Sequence, residues 1–151
     1  MSESKYQFFL AGIIQGSRQD LNVHDQSYRN EIRSVINRVI PGSHVFCPVE
    51  NHPESISYND EDAKKIFLIH LEKIKECHCL VVYLPEASMG SSIEMWEAYH
   101  HRIPVITITP MVTNWVVRIL SDKVVKDIPD FARFVESGKL TELLVRRFPE
   151  I

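Results

Sequence analysis

The stretch Cys79–Leu84 reads Cys-Leu-Val-Val-Tyr-Leu, with no charged or strongly polar residue to break it. A strand with one face in water alternates apolar and polar side chains, whereas an unbroken run suits a strand covered on both faces, as in a parallel sheet flanked by helices. The run therefore predicts a central strand. The remaining chain alternates to match. Tyr6–Ala11 reads as a buried strand stopped at Gly12, His44–Cys47 as a short strand ended by Pro48, and Pro104–Ile108 and Lys123–Lys126 as two more. Between them, Asp25–Val39 carries Ile32, Val35, Ile36 and Val39 at helical spacing and stops at Pro41-Gly42. Asp60–Glu76 sets Ala63, Ile66, Phe67, His70 and Ile74 on one helical face, after a polar stretch, Asn51–Asn59, that reads as a loop. Further helices are predicted over Ser91–His101, Thr113–Leu120, Pro129–Glu136 and Lys139–Arg146. Such alternation predicts an α/β three-layer sandwich with a five-stranded, mainly parallel sheet of the flavodoxin or Rossmann-like kind, and residues 1–151 as a single domain.

Composition narrows the function classes. Seventeen Lys and Arg against twenty Asp and Glu give a formal charge of -3, so there is no basic excess to neutralise a polymeric nucleic acid. The longest apolar run near the N-terminus, Phe8–Ile14, is far shorter than the ~20 residues needed to cross a bilayer, and no basic region or small-residue cleavage site flanks it. No membrane is expected as a partner, and the protein is expected to be cytoplasmic. Three cysteines, Cys47, Cys77 and Cys79, form no complete disulfide framework and fit a reducing compartment. Ligands one residue apart at a helix-to-strand junction diverge, so Cys77-His78-Cys79 reads as buried thiols and no metal is expected.

In parallel sheets the ligand crevice lies beyond the carboxyl ends of the strands, where strand order reverses. Two segments there carry chemistry. After the first strand, Gly12, Gly16 and Ser17 allow close backbone approach and Arg18 could complement an anion, although a turn that simply needs glycines has the same composition. After the third strand, Ser88-Met-Gly90-Ser91-Ser-Ile-Glu94 opens a helix, which makes an anion site of its N-terminus. Glu94 then faces the crevice from the first turn, or Ser91-x-x-Glu94 is a capping box and Glu94 only satisfies an amide. Spacing leaves both open. His70, on an apolar stripe, reads either as a core histidine or as an imidazole beside Glu94, where the two would divide nucleophile and acid/base roles. His100 and His101 end a helix and read as caps. The first loop lacks the hydroxyl-rich run that would wrap a flavin phosphate, so no cofactor is expected.

At these residues the sequence resembles the nucleoside 2-deoxyribosyltransferase-like superfamily, which includes deoxyribosyltransferases and 2′-deoxynucleoside 5′-phosphate N-hydrolases. The resemblance spans Tyr6 to about Lys126 and is strongest over Ile69–Pro110, with Tyr83-Leu84-Pro85, Ser88-x-Gly90-x-x-x-Glu94 and Ile103-Pro104-Val105 in the family's order. It implies that Glu94 is a nucleophile attacking C1′ of the sugar of a nucleoside or nucleoside 5′-monophosphate, by the two-step retaining logic of glycosidases. It also implies that Ser88 contacts a 5′-phosphate, that Gly12, Gly16 and Arg18 surround the nucleotide, and that Asn114 reaches the site of a neighbouring subunit in a homodimer or higher oligomer. The sequence departs from the family pattern at three places. His70 stands at the family's aspartate, Phe9 replaces an aromatic hydroxyl at the end of the first strand, and Ile13 and Gln15 replace a polar pair in the first loop. The implied activity is N-glycosidic cleavage or deoxyribosyl transfer with His70 as assisting acid/base. The alternative is a binding or sensing module that keeps the pocket without turnover.

Overall fold

The computed structural model describes residues 6–151. Five strands, β1 (Gln7–Gly12), β2 (His44–Phe46), β3 (Cys79–Tyr83), β4 (Val105–Ile108) and β5 (Lys123–Val125), form one sheet in the order β2-β1-β3-β4-β5. Every pairing is parallel, so the sheet is wholly rather than mainly parallel. The helices are α1 (Tyr28–Val39), α2 (Pro48–Asn51), α3 (Asp60–Lys75), α4 (Met89–His100), α5 (Trp115–Leu120), α6 (Ile128–Glu136) and α7 (Lys139–Arg147). Among the described residues none is long and apolar enough to cross a membrane.

Period-two alternation sorts the strands' side chains between two cores. Phe8, Leu10, Cys79, Val81 and Ile106 pack with Ile32 and Ile36 of α1, Phe131 of α6 and Leu144 of α7. Phe9, Ala11, Leu80, Val82 and Val105 pack with Ile74 of α3 and Met95 and Ala98 of α4. The central strand β3 is apolar throughout because both its faces are covered, which is what the Cys79–Leu84 run predicts, whereas the edge strands β2 and β5 begin with the exposed His44 and Lys123. The three-layer α/β sandwich follows, and strand order reverses between β1 and β3, opening a crevice beyond their carboxyl ends.

Helix ends follow local chemistry. The Asn59 side chain accepts the Asp62 amide to start α3, whose first turn carries Asp60, Glu61 and Asp62 and whose last carries Lys73 and Lys75, complementing the helix dipole. Gly138, at φ 83°, lets the chain turn from α6 into α7. Several boundaries differ from the sequence expectation: α1 starts at Tyr28 rather than Asp25, and α5 at Trp115 rather than Thr113, where the Asn114 side chain caps it. Asn51–Asn59 is not all loop: α2 ends at Asn51 and a single 3₁₀ turn covers Ser55–Ser57, too short for any periodicity to register. The helix expected to begin at Ser91 begins at Met89, because Ser88 is the residue that caps it.

Candidate active site

A cleft of about 330 Å³ lies beyond the ends of β1 and β3. Its floor is the end of β1 and the N-terminus of α4, one lip is the loop after β1, and the facing wall is α3 together with residues 48–58. The apolar stripe of α3 is divided between two duties. Its C-terminal part, Ile74, is in the core, while Ala63, Ile66 and Phe67 stay partly or fully open and line the cleft with His70.

The capping reading of Glu94 does not survive the helix start. With Ser88 as N-cap, the Ser88 hydroxyl oxygen accepts the Ser91 amide hydrogen at 3.4 Å and lies 3.0 Å from the Ser91 hydroxyl, and Ser92 donates to the Ser88 carbonyl at 2.9 Å. Glu94 is thus in the second turn, out of reach of any cap amide. It is half-buried, lines the cleft, and has no hydrogen bond or ion pair among the described residues. The protein crowded round its carboxyl pushes its pKa up to about 7, against the opposing but smaller pull of the Arg29 guanidinium.

Arg29 is the main cleft residue that the sequence reading missed. Only 3% exposed, it donates to the Leu10 carbonyl at 3.1 Å, the Gly12 carbonyl at 3.3 Å and the Gln26 side chain at 2.8 Å. It ties α1 to the end of β1 and places a cation beside Glu94. A signal was present: Arg29 lies on the stripe of α1 defined by Ile32 and Ile36, where an unpaired charge would be costly.

His70 is 8% exposed, and its ring lies 5.5 Å from that of His52, 5.8 Å from Phe46 and 6.3 Å from Phe9. Its Nε2 is sealed from solvent with no partner among the described residues. Burial, reinforced by His52, pulls its pKa down to about 4, so the ring is neutral at pH 7. His52 is held in turn by a 3.0 Å hydrogen bond between its Nδ1 and the hydroxyl of Tyr58, which lines the cleft. Tyr58 and Ser55 were not singled out from sequence, since a polar, aperiodic stretch gives no sign of which side chains turn inward.

The cleft brings together Glu94, His70, Gly12, Gln15, Gly16, Ser88 and Gly90. Gly12 and Gly16 are there for space. A methyl on Gly12 would collide with the Tyr28 ring and hydroxyl, and one on Gly16, at φ 61°, would press on Ile13, His24 and Glu86. Three other candidates lie off the cleft. Phe9 is fully buried against Phe46. Arg18 is exposed in the first loop, its amide bonded to the Gln15 carbonyl. Asn114 caps α5, its side chain accepting the amides of Val116 and Val117. The three cysteines are free and buried, and His78 Nδ1 accepts the Gln7 amide at 2.9 Å, so the cysteine-flanked histidine serves the backbone.

No family model and no curated protein matches the chain. Solved structures do. The 2-deoxyribosyltransferase from the psychrotolerant bacterium Bacillus psychrosaccharolyticus superposes with TM-score 0.62 at 20% identity over 83% of this chain and 90% of that one. A conserved protein from Enterococcus faecalis V583 gives 0.63 at 20% identity over 87% and 98%. The solution structure of BlsM gives 0.67 at 17% identity over 97% and 95%. The backbone described above therefore shares its fold with these three proteins, a 2-deoxyribosyltransferase among them.

Proposed function

We propose that the cleft binds a nucleoside or nucleoside 5′-monophosphate and breaks its N-glycosidic bond, with Glu94 as nucleophile. The observation that carries this reading is a carboxyl lining the cleft with no hydrogen-bond or ion-pair partner among the described residues, in a fold shared with a 2-deoxyribosyltransferase. An ionised Glu94 oxygen attacks C1′ as the C1′–N bond breaks, and the bond's electron pair leaves with the base. The positive charge developing at the sugar is stabilised by the carboxylate, and a glycosyl-enzyme results. Water, or a second base in a transfer reaction, then takes C1′ and returns the electron pair to Glu94. Arg29 favours the ionised form of Glu94, since its charge opposes the larger effect of burial.

The N-terminus of α4 suits the phosphate of a nucleotide. Ser88 caps the Ser91 amide, but the first helical amides, Met89 and Gly90, have no acceptor within the helix, and open space lies over Gly90. Gln15 and Gly16 close the site from the other lip. Arg18 would act only if the first loop moved toward the ligand.

A second copy of the chain is part of the proposal. Trp96, Trp115 and Ile119 are exposed on α4 and α5, Trp115 by 77%, and Met89, exposed by 85%, carries this apolar face to the rim of the cleft. Exposed surface of this kind is what a homodimer buries. Asn114 adjoins Trp115, so pairing through this face would bring it toward the partner's cleft.

The test is release of free base from a panel of ribo- and deoxyribonucleosides and their 5′-monophosphates. Wild-type protein should release base and Glu94→Gln should not. Saturable nucleotide binding by calorimetry with no release from any member would instead establish the binding-module alternative.

A further inference from the structure

Among the described residues lining the cleft, Glu94 is the one carboxyl. Glycosidases that cleave unactivated substrates use two, one to stabilise or attack the sugar and one to protonate the leaving group. If Glu94 attacks, something else must supply the proton. His70 is placed to be asked and is not built to comply. A second proton on its ring would put an N–H at Nε2, which is sealed among aromatic rings with no acceptor. Among the described residues no carboxylate is hydrogen-bonded or ion-paired to the ring to offset that charge. The depressed pKa of His70 agrees with this geometry. The Tyr58 hydroxyl is engaged with His52, and Arg29 spends its hydrogens on the carbonyls of Leu10 and Gly12 and the side chain of Gln26.

Taking the proposed cleavage at Glu94 as given, we infer that the substrate class is nucleosides or nucleotides whose base departs as a stable anion, without protonation by the protein. Such bases are electron-poor heterocycles with an acidic N–H, above all pyrimidine-diones bearing an electron-withdrawing substituent. In the first step the C1′–N electron pair becomes the lone pair of the base anion, and the Glu94 oxygen bonds to C1′. In the second a water oxygen takes C1′, the Glu94 carboxylate is regenerated, and the water's proton ends on the base anion. The sum is nucleoside plus water giving free base plus sugar. In this scheme neutral His70 is a polar wall for the base and donates no proton to it.

The experiment is a leaving-group series on the full-length wild-type protein: 2′-deoxyribonucleosides and their 5′-monophosphates carrying 5-nitrouracil, 5-fluorouracil, uracil, thymine and adenine. The expected result is that kcat/KM climbs by about tenfold for each one to two units by which the N–H pKa of the base falls, with 5-nitrouracil fastest and uracil, thymine and adenine, whose N–H acidities are similar, slow together. His70→Asp, which adds a second carboxyl to the cleft, should flatten that dependence by raising the rate on the poor leaving groups. Equal release of adenine and 5-nitrouracil by wild type would overturn the inference while leaving Glu94 cleavage standing. Release from no member, the most activated included, would remove the proposed cleavage and this inference with it. The wild-type slope decides the matter even if the His70 variant fails to fold.

Discussion

The hydroxyl of Ser88 accepts the amide hydrogen of Ser91 at 3.4 Å, and this one contact fixes where α4 begins and so which turn of it carries Glu94. Because Ser88 starts α4, Glu94 falls in the second turn with no amide to cap, and its carboxyl is left to the cleft. Replacing Ser88 by Ala should cost about 1 kcal/mol of stability, the usual worth of an N-cap. Glu94→Gln should show no loss of that kind. Urea unfolding of the two variants at pH 7 distinguishes them, and an equal loss in both would restore a capping role to Glu94.

Glycines of the cleft divide by what a methyl would meet. Gly12→Ala drives a carbon to 3.0 Å from the Tyr28 ring and should destabilise by about 1–3 kcal/mol. Gly90→Ala meets nothing within 4 Å and sits in a helix, so it should stabilise by roughly 0.5–1 kcal/mol. If a phosphate lies on α4, that stabilised variant should still bind a 2′-deoxynucleoside 5′-monophosphate several-fold more weakly. Thermal melts and calorimetry give the two answers separately, and unchanged affinity would move the phosphate elsewhere.

Stability should depend on pH through two opposed slopes. The pKa of Glu94 rises on folding from 4.5 to about 7, so its contribution is full below pH 4.5 and is lost as pH climbs through 7. The pKa of His70 falls from 6.5 to about 4, so its contribution is present above pH 6.5 and is lost as pH drops through 4. Each amounts to roughly 3 kcal/mol at most, and between pH 4.5 and 6.5 they oppose one another. Wild type should therefore be nearly flat in that window. Glu94→Gln should gain stability as pH rises from 4 to 6.5, and His70→Gln should lose it from 4.5 to 7. Urea midpoints across pH measure this, and parallel profiles for all three proteins would contradict it.

Catalysis should rise with pH. In the proposed reaction the attacking species is the Glu94 carboxylate, so base release should be small at pH 5.5 and climb through a midpoint near 7. Removing the nearby cation raises that midpoint: Arg29→Met, where it folds, should shift the profile to higher pH. A profile falling from pH 6 to 8 would show that the protonated acid is the working form.

Association is predicted to run through α4 and α5. Trp115→Lys or Ile119→Lys should convert an oligomer into monomer by sedimentation without lowering thermal stability of the monomer, since both side chains are exposed in the single chain. A monomeric wild-type protein would rule out the paired arrangement.

The strands were legible because a covered parallel sheet writes itself as unbroken runs such as Cys79–Leu84. The helices α1 and α3 were legible because their apolar stripes repeat at helical spacing. Cleft residues drawn from segments with a motif, Gly12, Gly16, Ser88 and Glu94, were also visible. Ser55 and Tyr58 were not, because they reach the cleft from an aperiodic stretch whose local sequence holds no record of direction, while Arg29 had a signal in its place on the apolar stripe of α1 that went unread.

Sequence by itself determined the layers, the parallel sheet and the end of it at which the cleft opens, because these follow from hydrophobic period and chain connectivity. Only the tertiary structure decided the surroundings of Glu94 and His70, the two titratable groups of the proposed chemistry. Whether Glu94 caps a helix or stands free depends on where α4 begins. Whether His70 carries a proton depends on rings from β1, β2 and α2's C-terminal flank closing around it. Ionisation answers to the surroundings of a side chain in space, and residues distant along the chain supply those surroundings.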